Sequence, residues 1–283
     1  MIHLENDKLK VSVALNGAEI RSVVDKETDQ EYMWSGDSYY WERVSPVLFP
    51  TVGKVFEGKY RVDGETYHLP QHGFLRDQVF ELVDSSDVKI VLSFKSSDDT
   101  LAVYPFKHEV RIAYELKDRE LSIHWYVINL DDKTMYYAIG AHPAFAMHDG
   151  QNYAFELEAD GEVALVTLKG GHVDQFVKQE KIDTIDITTE AFKNDALVYT
   201  GVSAVNLVNK DTQSRIRCSF PGFDYVGLWT TYKDERLAPF VCIEPWLGIT
   251  DEIGGYDDLS EKLSIKKLNV SEEDHHVYRL EFL

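Results

Sequence analysis

The sequence predicts an all-β fold, a large antiparallel β-sandwich, on three observations. Apolar and polar residues alternate with a period of two through most of the chain, turn pairs such as Asp63-Gly64 separate the alternating runs, and helical periodicity is nearly absent. Strands that follow one another without intervening helices pair antiparallel, because a parallel neighbour needs a long crossover connection.

The runs can be justified in order. Leu9, Val11, Val13 and Leu15 alternate with polar residues and stop at the turn pair Asn16-Gly17. Tyr60-Arg61-Val62 and Glu65-Thr66-Tyr67 flank Asp63-Gly64, whose tolerance of positive φ closes a two-residue hairpin. Three further sets follow: Val88, Ile90, Leu92, Phe94; then Val110, Ile112, Tyr114, Leu116; then Leu121, Ile123, Trp125, Val127. The polar turn Lys117-Asp118-Arg119-Glu120 joins the last two. Late strands are expected over residues 205–208, 225–229, 240–244 and 277–282, and short helices only over 189–194 and 259–263. The polar stretch from Asp183 to Asp195 separates strands that look alike, so it reads as a loop inside one domain spanning residues 1–283.

Composition narrows the function. The chain has 283 residues, 44% hydrophobic and 28% charged, as in a soluble globular protein able to bury a core. With 29 Lys and Arg against 49 Asp and Glu, its formal charge of −20 argues against nucleic acid or an anionic membrane surface as partner. Any phosphate site would need its own local basic residues. The N-terminus lacks the basic start and apolar core of a signal peptide, and no run approaches the ~18 apolar residues of a membrane span. Cys218 and Cys242 lie in strand-like runs with no disulfide framework, which fits reduced core residues of a cytoplasmic protein.

Three residues stand where packing alone does not explain them. His72 lies in Pro70-Gln71-His72-Gly73-Phe74-Leu75-Arg76, and His142 in Gly140-Ala141-His142-Pro143-Ala144-Phe145. Glu244 ends the apolar run Phe240-Val241-Cys242-Ile243 ahead of Pro245-Trp246. Alternation puts Glu244 on the face of Phe240 and Cys242, and Trp246 on that same face. A carboxylate there is costly to bury unpaired, so the face opens into a pocket or a nearby Lys or Arg neutralises the charge. Two imidazoles and a carboxylate supply an acid, a base and an orienting group near neutral pH. Each histidine also has an ordinary reading, solvated in a loop for His72 and satisfied in the core for His142.

Other chemistries leave weaker traces. The trio has no metal-ligand spacing, so a metal would need three distant ligands to converge. No Gly-x-Ser-x-Gly elbow, Gly-x-Gly-x-x-Gly turn or Walker-type loop is present, which argues against a serine nucleophile and a nucleotide cofactor. Glycoside hydrolysis wants a second carboxylate facing Glu244; Asp224 and Asp251 are available, but their context does not single them out.

Set in order, the blocks resemble the aldose 1-epimerase (galactose mutarotase-like) family, most closely its LacX-like branch. They are Ser45-Pro46-Val47-Leu48-Phe49-Pro50-Thr51-Val52-Gly53-Lys54, His72-Gly73-Phe74-Leu75-Arg76, Tyr104-Pro105-Phe106, His142-Pro143-Ala144-Phe145, and Ile243-Glu244-Pro245-Trp246 with Gly248 and Asp251. The resemblance implies a supersandwich that binds an aldose in an open cleft and interconverts its anomers. It implies Glu244 as base at O1, His142 as acid at the ring oxygen and His72 as a hydrogen-bonding partner near that oxygen, with no cofactor or metal. Small-molecule sugars such as galactose, glucose or a related aldose are the implied partners.

Departures bear on the substrate. Lys54 stands where the family usually carries a sugar-binding arginine, and Phe145 is followed by Ala146 where Asn is common. Asp195, in Asn194-Asp195-Ala196-Leu197-Val198, is the candidate sugar-binding aspartate, and Trp246 the candidate stacking residue. Arg76 beside His72 could reach a phosphate, which raises a hexose-6-phosphate 1-epimerase as the alternative. A non-catalytic carbohydrate-binding or regulatory protein of the same fold is a third reading.

Overall fold

A computed structural model describes residues 1–181, 184–193 and 195–283. Asp183 and Asn194, near the two ends of the expected polar loop, lie outside the described residues. The architecture is all-β, as the alternation predicts. One antiparallel sheet of 15 strands faces a small sheet of Ile2–Glu5, Leu9–Val13 and Ile20–Asp25. Leu4, Leu9, Val11 and Val23 of the small sheet share one buried cluster with Ile112, Ile123, Trp125 and Leu280 of the large one, and this shared layer makes the sandwich.

The early strands follow the expected pattern. Lys59–Val62 and Glu65–His68 form the hairpin about Asp63-Gly64, both of which have positive φ. His108–Lys117 and Glu120–Asn129 turn at Asp118-Arg119. The expected helices are reduced to one turn each, Thr189–Phe192 and the 3-10 turn Leu259–Glu261. Among the described residues no helix is long and apolar enough to cross a membrane.

Two findings correct the sequence reading. Tyr153–Lys169 and His172–Gln179 form a long hairpin that the alternation did not reveal. Its first strand shifts register against Leu197–Asn209 around Ala159 to Ala164, and an irregularity of that kind breaks the period of two. The strand carrying Glu244 does not end there but runs Phe240–Leu247, straight through Pro245.

That strand positions the site. It lies between Tyr225–Trp229 on one side and, on the other, Ile139–Ala141 and Ala144–Ala146. It is buried throughout because both faces are covered. Val241, Ile243 and Leu247 enter the main core, Phe240 and Cys242 join a cluster with Trp34 and Ala144, and Trp246 joins Leu48, Val52 and Tyr225.

Candidate active site

The neighbour of Phe240–Leu247 is interrupted at His142-Pro143. Gly140 pairs with Trp246 before the gap and Ala144 pairs with Cys242 after it, so the register is unchanged and His142 falls opposite Glu244. The Ile243 N–H donates to Pro143 O at 3.3 Å, while Pro143 has no N–H to return. The missing N–H of Pro245, two residues along, points toward the same interrupted side. His142 and Glu244 thus form the pair between hydrogen-bonded positions, where facing side chains approach most closely. His142 Nε2 lies 3.2 Å from Glu244 Oε2, and both residues are buried.

His72 arrives on the loop between Glu65–His68 and the 3-10 turn Leu75–Asp77. Its φ is +69° and that of Gly73 is +67°, so the backbone is left-handed at two successive residues. Gly73 is required here: a Cβ would stand 2.2 Å from Phe49 O. The turn lets His72 N–H donate to Gly53 O at 2.7 Å while Gly53 N–H donates to His72 Nδ1 at 3.1 Å. With Nδ1 accepting, the neutral ring carries its proton on Nε2, which lies 3.2 Å from the Gln71 side-chain amide. The two imidazole rings meet edge to face, centroids 5.9 Å apart.

Both histidines and Glu244 line one cleft of about 410 Å³, together with Lys54, Arg76, Asp195 and Trp246. All seven residues singled out in the sequence therefore converge. A cleft of about 570 Å³ elsewhere, lined by His148, Asp186, Lys210 and Arg236 among others, contains none of them. Size alone would favour that cavity, whereas convergent titratable groups favour the smaller one.

The floor of the cleft depends on two missing side chains. A Cβ on Gly140 would stand 2.6 Å from Trp246 Cδ1, and one on Gly227 would stand 2.6 Å from Trp246 Cη2 and Cζ2. Glycines on both flanking strands let the indole lie across the sheet. Trp41 and Trp229, which the sequence reading did not single out, wall the opposite side: Trp41 lies over the His142 ring at 4.7 Å and Trp229 meets it edge-on at 5.5 Å. Tryptophans in aromatic-rich stretches carry no sequence signal that separates a cleft wall from core packing.

Lys54 is held at the rim through its backbone. The Asp251 N–H donates to Lys54 O at 3.0 Å, and the Thr250 hydroxyl lies 3.1 Å from both N and O of Lys54. Asp251 is anchored in turn by a buried ion pair with Lys262 and by the Phe56 N–H at 2.8 Å. Arg76 donates to Gln71 O at 2.8 Å, and its buried Nε makes no hydrogen bond but lies 3.9 Å from Asp77 Oδ2. Arg43, bound to Asp77 at 2.8 Å, adds its charge beside Arg76.

Burial shapes the protonation of the trio. It pushes the Glu244 carboxyl well above the usual carboxylate range, the negative charge of Asp195 adds to that, and the nearby Trp246 indole opposes it in part. Burial lowers His142 to about 3, with Arg76 and Arg43 contributing. It lowers His72 as well, aided by His142 and the positive charges of Arg76, Arg43 and Lys54. Burial therefore favours the uncharged form of both partners, neutral imidazole on His142 and carboxylic acid on Glu244. Neither Lys nor Arg forms an ion pair with Glu244 among the described residues, so of the two expectations for that face the open pocket is the one found.

Comparison with known proteins accords with this geometry. Residues 1–251 match the family model for aldose 1-epimerase. The chain is 28% identical to the chromosomal LacX protein of Lactococcus lactis over 94% of each chain. A galactose mutarotase related enzyme from Lactobacillus acidophilus superposes with a TM-score of 0.95 at 32% identity, covering 100% of this chain and 97% of that one. A galactose mutarotase-like protein from Lactobacillus casei gives 0.94 at 28% identity, covering 100% of both. The chain belongs to the aldose 1-epimerase family.

Proposed function

We propose that the protein interconverts the α and β anomers of an aldohexose, with Glu244 as the base at O1 and His142 as the acid at the ring oxygen. The observation that carries this reading is the opposed His142–Glu244 pair, 3.2 Å apart on the wall of a cleft of sugar size. In the ionic arrangement of the pair, Glu244 carboxylate takes the O1 proton while protonated His142 delivers one to the ring oxygen. The C1–O5 bond breaks and C1=O1 forms. Rotation about C1–C2 and reversal of both transfers close the ring on the other face. The His72 Nε2–H supports charge at the ring oxygen, and Trp246, Trp41 and Trp229 offer apolar faces to the sugar ring.

The proton inventory fits. The form that burial favours, carboxylic acid with neutral imidazole, has the protonation that receives the open-chain aldehyde. One proton passed from Glu244 to His142 across their contact prepares the pair for the ring form. Neither state changes the net charge of the buried site, so no counter-ion is required.

A second reading concerns the substrate. Arg43, Arg76 and Lys54 all act on His72, and two of them, Lys54 and Arg76, line the cleft on a chain of net charge −20. A hexose 6-phosphate would place its anion there, where Lys54 and Arg76 line the cleft.

Anomer-resolved NMR on fresh α-galactose, α-glucose and their 6-phosphates tests both readings. Equilibration should be accelerated by the wild type and not by Glu244→Gln. Equal rates for the two proteins would overturn the catalytic reading. Under the phosphosugar reading Arg76→Ala raises KM for the phosphorylated sugar alone.

A further inference from the structure

One group beside the proposed catalytic pair has no part in sugar chemistry. Cys242 stands two residues before Glu244 on the same face of Phe240–Leu247, paired with Ala144 on one side and Trp229 on the other. Its thiol is buried and free. The His142, Cys242 and Glu244 ligand atoms lie within 4.8 Å of one another. Some point therefore lies within about 2.8 Å of all three atoms, against roughly 2.0–2.3 Å for zinc bonds to N, O and S. The His142 to Glu244 separation of 3.2 Å is already that of adjacent corners of a tetrahedral site.

We propose that His142, Cys242 and Glu244 form a binding site for a thiophilic divalent cation such as Zn²⁺ or Cd²⁺, whose occupation blocks the cleft. A mixed nitrogen, sulfur and oxygen set selects this class over Mg²⁺ or Ca²⁺, which prefer all-oxygen ligands. On binding, the metal–sulfur bond replaces the S–H bond, and the thiol proton and the proton held by the His142–Glu244 pair pass to solvent. Three protein ligands leave a fourth corner facing the cleft, open to water or a sugar hydroxyl. The cation engages both groups that the sugar would use, so metal and sugar exclude one another. Lone cysteines elsewhere do not compete: Cys218 sits in the main core. On the surface, His124 Nδ1 and His275 Nε2 approach to 3.1 Å but have no sulfur beside them.

The test uses Cd²⁺ and the whole chain. Thiolate-to-cadmium charge-transfer absorption should rise and saturate at one equivalent in the wild type and in Cys218→Ser, and be lost in Cys242→Ser. His142→Ala, which keeps the thiol, should weaken binding by more than the ~10–100-fold that loss of an outer hydrogen-bond partner costs a metal site. Absorption that persists in Cys242→Ser, that never appears in the wild type, or that is indifferent to His142→Ala would overturn the proposal. This readout involves no turnover, so its failure is distinct from failure of the epimerase reading. Where turnover is measured, Zn²⁺ should slow the wild type and leave Cys242→Ser unaffected.

Discussion

His142 stands opposite Glu244 in a register that the sheet keeps on both sides of the Pro143 break. Two groups fixed by the same pair of strands should fail singly, since neither can replace the other. Glu244→Gln and His142→Gln are each expected to lower kcat by about 10²–10⁴-fold with little change in sugar affinity, the size of a lost acid or base step. Polarimetry for rate and titration calorimetry for binding separate the two effects.

The pH profile should differ from that of an ordinary histidine enzyme. His142 is lowered to about 3, so its imidazole does not change protonation near neutrality, and burial shifts Glu244 upward from the ordinary carboxylate range. The rate should therefore pass without inflection through about 6.5, the ordinary imidazole value. An acid limb centred there would contradict the lowered His142.

Gly227→Ala tests the floor. The added methyl would meet the Trp246 ring at 2.6 Å, and overpacking of this kind costs typically ~1–3 kcal/mol. The indole should tilt into the cleft, raising KM for the sugar and shifting tryptophan fluorescence while the His142–Glu244 contact survives. An unchanged KM would show that Trp246 does not shape the sugar site.

Acid should destabilise the fold through buried neutral imidazoles. His72, His142 and His108 are held below their ordinary value by burial, His108 to about 4. In the unfolded chain they take up protons near 6.5, so their contribution is full above that pH and is lost as pH falls toward the folded values. Glu244, raised by burial, acts in the opposite sense, its contribution fading as pH rises above the ordinary carboxylate value. Three groups outweigh one between pH 6.5 and 4.5. His108 alone accounts for about 3 kcal/mol when fully titrated. Thermal melts at the two pH values should show the loss, and His108→Asn should reduce it.

Much of this was legible in the chain because period-two alternation survives burial on both faces. It placed Glu244 and Trp246 on one face, and the Asp63-Gly64 hairpin where it occurs. The long Tyr153–Lys169 strand was hidden because its register shifts partway. Lys54, Arg76 and Asp195 entered through family resemblance; their meeting in one cleft depends on strand order, which local pattern does not encode. Trp41 was invisible because its role comes from touching His142, a contact between distant segments.

The strand Phe240–Leu247 carries a consequence for quality control. Its side chains alternate between the main core and the cleft, so a slip of one residue would send Ile243 toward the sugar and Glu244 into the core. A misaligned sheet would then bury an unpaired carboxylate and expose aliphatic surface. The same error that separates His142 from Glu244 also removes the incentive to fold, so chains that reach a stable state are the ones in which the two stand opposed.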